Sequence, residues 1–167
     1  MNASGENALE AIIGQLLRQR EYRLAVAESC TGGLIGHRIT NVPGSSAYYA
    51  GSVTAYSYDI KELILHVRRE TLDRYGAVSE QTAREMAQGV RRSFYADVGL
   101  AVTGIAGPGG GTPEKPVGLV YVALAAPDSE WAEQYVWCGN RRENKERSAE
   151  AALDLLRRYL EARLSYS

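Results

Sequence analysis

Apolar positions along the chain recur with two periods. Leu9, Ile12, Ile13, Leu16 and Leu17 repeat at helical spacing with Arg18, Arg20 and Glu21 on the flanks, so an amphipathic helix packed on a sheet is predicted. The polar stretch before it, Asn2 to Asn7, is expected to fray. Leu24 to Ala27 is a short apolar run suited to a buried strand. After Gly32-Gly33 the period returns to that of a helix, with Leu34, Ile35 and Ile39, and the turn cluster Asn41-Val-Pro43-Gly44 ends it. Residues 47–57 are rich in β-branched and aromatic types and read as a strand. Asp59 to Val67 places Ile60, Leu63, Ile64 and Val67 on one helical face, with Lys61 near the start. Ser79 is a fitting N-cap for a helix through Tyr95 whose inward stripe is Ala83, Met86, Ala87, Val90 and Phe94. Asp97 to Thr103 reads as a buried strand. Val117 to Ala126 and Glu130 to Cys138, joined by Pro127-Asp-Ser129, read as an antiparallel hairpin. Asn140 and Glu143 have the spacing of a capping box, opening a last helix with Ala149, Ala152, Leu153, Leu156 and Leu160 inward.

Composition narrows this picture without changing it. The 167 residues suit one domain spanning 1–167, large enough for a core that needs no staples, with residues 1–7 expected to fray. Nineteen Lys and Arg against twenty Asp and Glu give a net charge of −1, which disfavours direct nucleic-acid binding, although Arg91, Arg92, Arg141 and Arg142 could build a local basic face. Cys30 and Cys138 lie far apart and form no C-x-x-C pair, so reduced thiols and a cytoplasmic setting are expected rather than a disulfide or structural zinc. His37 and His66 each stand alone, which suggests no metal site. The amino terminus lacks the basic-then-apolar order of a secretion signal, and no apolar run is long enough to span a bilayer, so no export is expected.

The candidate chemistry gathers in three stretches. In Leu24 to Gly33, Ser29 falls at a strand end just before a helix start, where free backbone N–H groups can hold an anion or a developing oxyanion. A capping role for Ser29 or Thr31 is the commoner use of a hydroxyl there. No G-x-S-x-G elbow is present. Lys61, in a first helical turn, opposes the helix dipole, which points either to a task or to an ordinary surface lysine. The loop Gly104-Ile-Ala-Gly107-Pro-Gly-Gly-Gly111-Thr-Pro-Glu-Lys-Pro116 has the close-approach glycines of a binding loop. It matches neither the P-loop nor the Rossmann fingerprint, because another strand follows it. Arg141 and Lys145 would project from the first turn of the last helix, well placed to grip a phosphate. The mixed signs of Arg142, Lys145, Glu146 and Arg147 also suit a plain charged surface.

Glu28-Ser-Cys-Thr-Gly-Gly33, Tyr56-Ser57 with Lys61, Val102-Thr-Gly-Ile-Ala-Gly-Pro-Gly109, Gly111-Thr-Pro-Glu-Lys-Pro-Val-Gly118 and Gly139-Asn-Arg141 together resemble the CinA carboxy-terminal domain family, over about Leu9 to Leu160. The resemblance implies an α/β fold, a three-layer α/β/α sandwich with a mixed, mostly parallel sheet. It also implies a stand-alone, cofactor-free amidohydrolase that converts nicotinamide mononucleotide to nicotinic acid mononucleotide and ammonia. Carried over by motif, Ser29 would be the nucleophile, Lys61 its general base and Tyr56 a hydrogen-bonding participant beside them. Lys61 can act as base only if burial, or a cation such as Arg141, lowers its pKa. Backbone N–H groups of Cys30, Thr31 and Gly32 are the oxyanion candidates. Thr103, Gly104, Ala106, Gly107 and Gly109, with Arg141 and Lys145, would bind the nucleotide. The family resemblance suggests a homodimer, and eleven tyrosines against one phenylalanine could furnish the interface. Relatives commonly carry Asn at Tyr58, Gly at His66 and Arg at Lys145. Two further readings therefore stand beside the first, an amidohydrolase of a different small carboxamide and a non-catalytic nucleotide-binding accessory protein of the competence or DNA-damage type.

Overall fold

A computed structural model describes residues 8–164; the stretch Asn2 to Asn7 lies outside the described residues. In chain order the elements are α1 (Leu9–Gln19), β1 (Leu24–Glu28), α2 (Leu34–Thr40), a 3-10 turn (Ser45–Ala47), β2 (Tyr49–Thr54), α3 (Tyr58–Leu65), α4 (Arg69–Tyr75), α5 (Glu80–Ser93), β3 (Val98–Gly104), β4 (Leu119–Ala125), β5 (Glu130–Val136) and α6 (Arg141–Leu164). The strands form one sheet in the order β2-β1-β3-β4-β5. β1 pairs parallel with β2 and β3, whereas β4 pairs antiparallel with β3 and β5, so β4 alone runs against the rest.

The two faces of the sheet differ in side-chain size, and this sets the layers. Leu24, Val26, Leu100, Val102, Val120, Val122 and Leu124 bury themselves among α1, α2 and α6. Ala25, Ala27, Ala101, Ala123 and Ala125 face the other way, toward α3, α4 and α5. Alternation along a strand sends consecutive residues to opposite faces, so a bulky-small repeat writes this asymmetry directly into the sequence. On the alanine face α5 lies almost flush. A Cβ on Gly99 would come within 2.1 Å of the Ala87 carbonyl oxygen, and one on Gly89 within 1.7 Å of the Leu65 carbonyl oxygen.

Caps fall where the sequence places them. Ser79 Oγ accepts from Thr82 N–H at 3.2 Å, and Asn140 and Glu143 complete a reciprocal capping box at 3.0 and 2.8 Å. Several boundaries move. The strand expected over 47–57 is confined to Tyr49–Thr54, because Gly44 turns left-handed (φ 77°) into a 3-10 turn and Ser57 leaves the sheet to cap α3, accepting from Ile60 N–H at 3.3 Å. α3 stops at Leu65, where His66 adopts a left-handed cap (φ 55°). Glycine would carry no strain in that conformation. α4 is absent from the sequence expectation, since it buries only Thr71 and Leu72 amid charged residues.

The largest departure is the inward face of α3. Leu63 is 68% exposed and Ile64 is also exposed, while the helix buries Lys61 and Leu65 instead. Arg91 bonds the Asp97 carbonyl just before β3, and Arg141 bonds the Gly107 carbonyl just beyond it. These arginines sit at opposite ends of the strand and do not build one basic face. Among the described residues, no helix is long and apolar enough to cross a membrane.

The flush packing of α5 against α3 makes a testable statement. Alanine in place of Gly89 should gain about 1 kcal/mol in helix propensity, yet the collision with the Leu65 carbonyl should make Gly89→Ala a net loss of about 1–3 kcal/mol in urea unfolding. A neutral or stabilising result would show that α3 and α5 do not approach so closely.

Candidate active site

The three parallel strands end level with one another, and their carboxyl ends supply the centre of the site. Glu28 pairs with Thr54 on one side and Val102 on the other; Ala55 N–H then donates to the Glu28 carbonyl at 2.8 Å and Ser29 N–H to the Val102 carbonyl at 3.0 Å. Ser29, Ala55 and Thr103 are thereby brought side by side. Crevices at the carboxyl ends of parallel strands are the usual ligand sites of open α/β sheets. Here the crevice is a cavity of about 280 Å³ lined by Ser29, Cys30, Tyr56, Lys61, Ala77, Val78, Thr103 to Gly107, Gly109, Gly110 and Arg141.

Lys61 reaches this crevice from the second turn's edge of α3. Its side chain is only 1% exposed. Nζ lies 3.0 Å from Ser29 Oγ and 2.6 Å from the Ala55 carbonyl oxygen. Burial disfavours the charged ammonium and lowers the pKa to about 8. The lowering therefore comes from desolvation, not from Arg141, whose guanidinium is engaged elsewhere. A lysine poised near 8 and in contact with a serine hydroxyl is a group that can take a proton at neutral to mildly alkaline pH.

Ser29 sits on a turn that carries two left-handed glycines, Gly32 (φ 62°) and Gly33 (φ 99°), before α2 begins. The Gly32 N–H is spent on the Ser29 carbonyl at 3.1 Å, which removes it from the oxyanion candidates and leaves Cys30 and Thr31 N–H. The Thr31 hydroxyl donates to Glu28 at 2.6 Å, so it is a structural tie. Cys30 is a free, buried thiol whose pKa burial pushes up to about 12, which keeps it protonated beside the serine.

The walls separate scaffold from open surface. Thr103 Oγ1 donates to the Ala77 carbonyl at 2.7 Å, and Gly104 is held against β4, where a Cβ would meet Val120 and the Leu119 carbonyl. Ala106 offers its carbonyl to Asn144 Nδ2 at 3.0 Å. Gly109 has open space around it. Arg141 donates through Nη1 to the Gly107 carbonyl at 2.7 Å and through Nη2 to the Tyr56 hydroxyl at 3.0 Å, leaving three of its five N–H donors. Tyr56 thus lines the cavity, but its hydroxyl bonds Arg141 rather than Ser29 or Lys61, and the residue is 63% exposed. Lys145 belongs to an adjoining cavity of about 580 Å³ with Thr31, Gly32, His37, Arg142 and Glu146, to which Arg141 also contributes. Tyr58 stands behind the wall, where its hydroxyl accepts the Ala77 N–H at 3.1 Å.

Two residues that organise this region escaped the sequence reading. Glu28 is fully buried beneath α2 and accepts from Ile35 N–H, Gly36 N–H and the Thr31 hydroxyl. Asn144 is buried at the start of α6 and ties Ala106 to Gly139 N–H. A buried carboxylate at a strand end had a signal, since an acidic residue closing an apolar run is unusual; Asn144 had none. Among the described residues, no group of three or more His, Cys, Asp and Glu is placed to hold a metal ion.

The CinA C-terminal domain profile matches residues 6–160. A CinA-like protein of Desulfotalea psychrophila is 49% identical over 154 residues, covering 92% of this chain and 37% of that protein. A CinA-like protein of Salinibacter ruber is 49% identical over 157 residues, covering 94% of this chain and 38% of its own length. The chain thus spans less than two fifths of these curated relatives. Among solved structures, a competence-damaged protein (CinA) superfamily protein from Klebsiella pneumoniae superposes with a TM-score of 0.89 at 30% identity, covering 92% of this chain and 96% of that one. The competence/damage inducible protein CihA from Agrobacterium tumefaciens gives 0.82 at 39% identity, with 90% and 96% covered. With the sheet order, the motif positions and these similarities in agreement, the chain belongs to the CinA C-terminal domain family.

Proposed function

We propose that the protein is an amidohydrolase that hydrolyses the carboxamide of nicotinamide mononucleotide, with Ser29 as nucleophile and Lys61 as general base. The observation that carries this reading is the 3.0 Å contact between Lys61 Nζ and Ser29 Oγ inside a small crevice, made by a lysine whose charge is disfavoured there. An amide is a weak electrophile with a poor leaving group, so its hydrolysis needs a base, an oxyanion site and an acid. One side chain can serve as both base and acid. Neutral Lys61 takes the Ser29 hydroxyl proton as Oγ bonds to the carboxamide carbon, and the tetrahedral oxyanion faces the N–H groups of Cys30 and Thr31. The Lys61 ammonium then gives its proton to the departing nitrogen, and ammonia leaves as the C–N bond breaks. Water attacks the resulting ester, losing its proton to Lys61, and the carboxylic acid departs as Ser29 regains its hydrogen.

The remaining donors of Arg141 suit a phosphate, and Lys145 in the adjoining cavity adds a second positive charge beyond it. With Lys145 in place of Arg the charge is kept, but the bidentate fork is lost. Tyr58 bears on selectivity only through the Ala77 wall segment. The family resemblance also supports a homodimer, for which exposed Leu63 and Tyr95 supply apolar area.

Ammonia release from nicotinamide mononucleotide by the purified protein is the direct test, with free nicotinamide as control substrate. Ser29→Ala and Lys61→Ala should each lower kcat by about 10³-fold or more. Arg141→Ala should raise KM for the mononucleotide about tenfold or more, while leaving the weak reaction of free nicotinamide unchanged. Full turnover by Ser29→Ala would overturn the assignment. The burial of Lys61 has a consequence that needs no substrate. Its folded pKa near 8 lies below the ordinary 10.5, so between those values the unfolded chain binds more protons and stability rises with pH. Relative to Lys61→Met, the wild type should gain on the order of 2–3 kcal/mol between pH 7.5 and 10.5 in denaturant unfolding. A constant difference across that window would contradict the burial argument.

A further inference from the structure

Glu28 is the last residue of β1, clamped by its backbone between β2 and β3. It shares its parity with Leu24 and Val26, so its side chain enters the layer beneath α2, while the next residue, Ser29, turns into the cavity that Lys61 enters from α3. Glu28 Oε1 accepts from the Thr31 hydroxyl at 2.6 Å and from Ile35 N–H at 2.9 Å; Oε2 accepts from Gly36 N–H at 3.1 Å. Ile35 and Gly36 are the second and third residues of α2, whose N–H groups an N-cap side chain ordinarily satisfies. The residue at the cap is Gly33, which has no side chain to do this. Glu28 therefore caps α2 from the sheet, across the nucleophile turn, and holds that turn at Thr31 as well. Both oxygens are engaged, and a glycine at 36 suits the close packing there, since a Cβ would crowd the Tyr49 and Ser52 hydroxyls.

We propose that Glu28 is a positioning residue for Ser29: by fastening the helix start and Thr31 to a fixed point in the sheet, it sets where Ser29 Oγ and the Cys30 and Thr31 N–H groups stand relative to Lys61. The inference rests on Ser29 being the nucleophile of the proposed reaction. The turn it fastens contains two left-handed glycines and has little stiffness of its own. A carboxylate is required because three donors converge on two acceptor oxygens. A glutamine would offer one acceptor oxygen and turn an N–H₂ group toward a donor. Displacing a nucleophile by about 1 Å can cost about 100-fold in rate.

The test compares wild type with Glu28→Gln in two readouts. The first is ammonia release from nicotinamide mononucleotide; the second is the second-order rate of Ser29 sulfonylation by phenylmethanesulfonyl fluoride, located by mass spectrometry and corrected for the folded fraction. Glu28→Gln should lower kcat about 100-fold with KM within about threefold, and slow sulfonylation about 30-fold or more. Rates within threefold of wild type in the folded fraction, even with a lower Tm, would assign Glu28 to stability alone and overturn the proposal. If Glu28→Gln does not fold, Thr31→Val takes its place. That variant removes one of the three bonds and should slow sulfonylation about tenfold, and wild-type reactivity would overturn the proposal. Wild type that is sulfonylated at Ser29 but releases no ammonia would defeat the substrate reading while the labelling rates still decide Glu28. Wild type inert to both would defeat the nucleophile assignment and this inference with it.

Discussion

An amine enclosed where its charged form is poorly solvated is the constraint around which this molecule is arranged. Lys61 occupies a place in α3 that an apolar side chain would fill more cheaply, and its ammonium has only a serine hydroxyl and a carbonyl for company. Desolvation brings its pKa to about 8, so a residue that in water would be almost wholly protonated has a usable neutral fraction. Cys30, the buried thiol beside it, opposes the lowering, but desolvation outweighs that effect.

Everything that positions Lys61 and Ser29 follows from the unequal faces of the sheet. Alanines and Gly99 on one face let α5 lie close, and Gly89 lets α3 settle against α5, which brings α3 over the strand ends. The bulky face carries α1, α2 and α6, and α6 in turn reaches back through Arg141 and Asn144 to hold the glycine loop by the carbonyls of Gly107 and Ala106. Ser29 thus lies between two layers, met by the Lys61 amine from one and followed by a turn that Glu28 ties to α2 in the other.

The strands and most helices were legible because their burial is written in local periods. β1, β3 and β4 are continuous apolar runs, Ser79 and Asn140 are caps with a mechanism, and the hairpin is announced by its turn. The inward face of α3 was not legible, since the pattern favours Ile60, Leu63 and Ile64 while the protein buries a lysine. A local rule is broken there, and such breaks are common at functional sites. Lys61 itself gave a partial signal, being a cation in a first helical turn. The partner of Tyr56 and the role of Asn144 depend on contacts between residues 34 to 85 positions apart, and the separation of Lys145 from the serine crevice on how α6 is placed, none of which a local period encodes. The α4 helix was hidden for the opposite reason, having too little buried surface to leave a stripe.

The proposed chemistry depends most directly on the protonation state of Lys61 during turnover. Measuring kcat/KM for nicotinamide mononucleotide from pH 6 to pH 10 reports it. A burial-lowered base predicts a rate that climbs with pH and levels off above an apparent pKa near 8. A rate independent of pH across that range, or one still rising tenfold per unit at pH 10, would contradict a desolvated Lys61 as the group that activates Ser29.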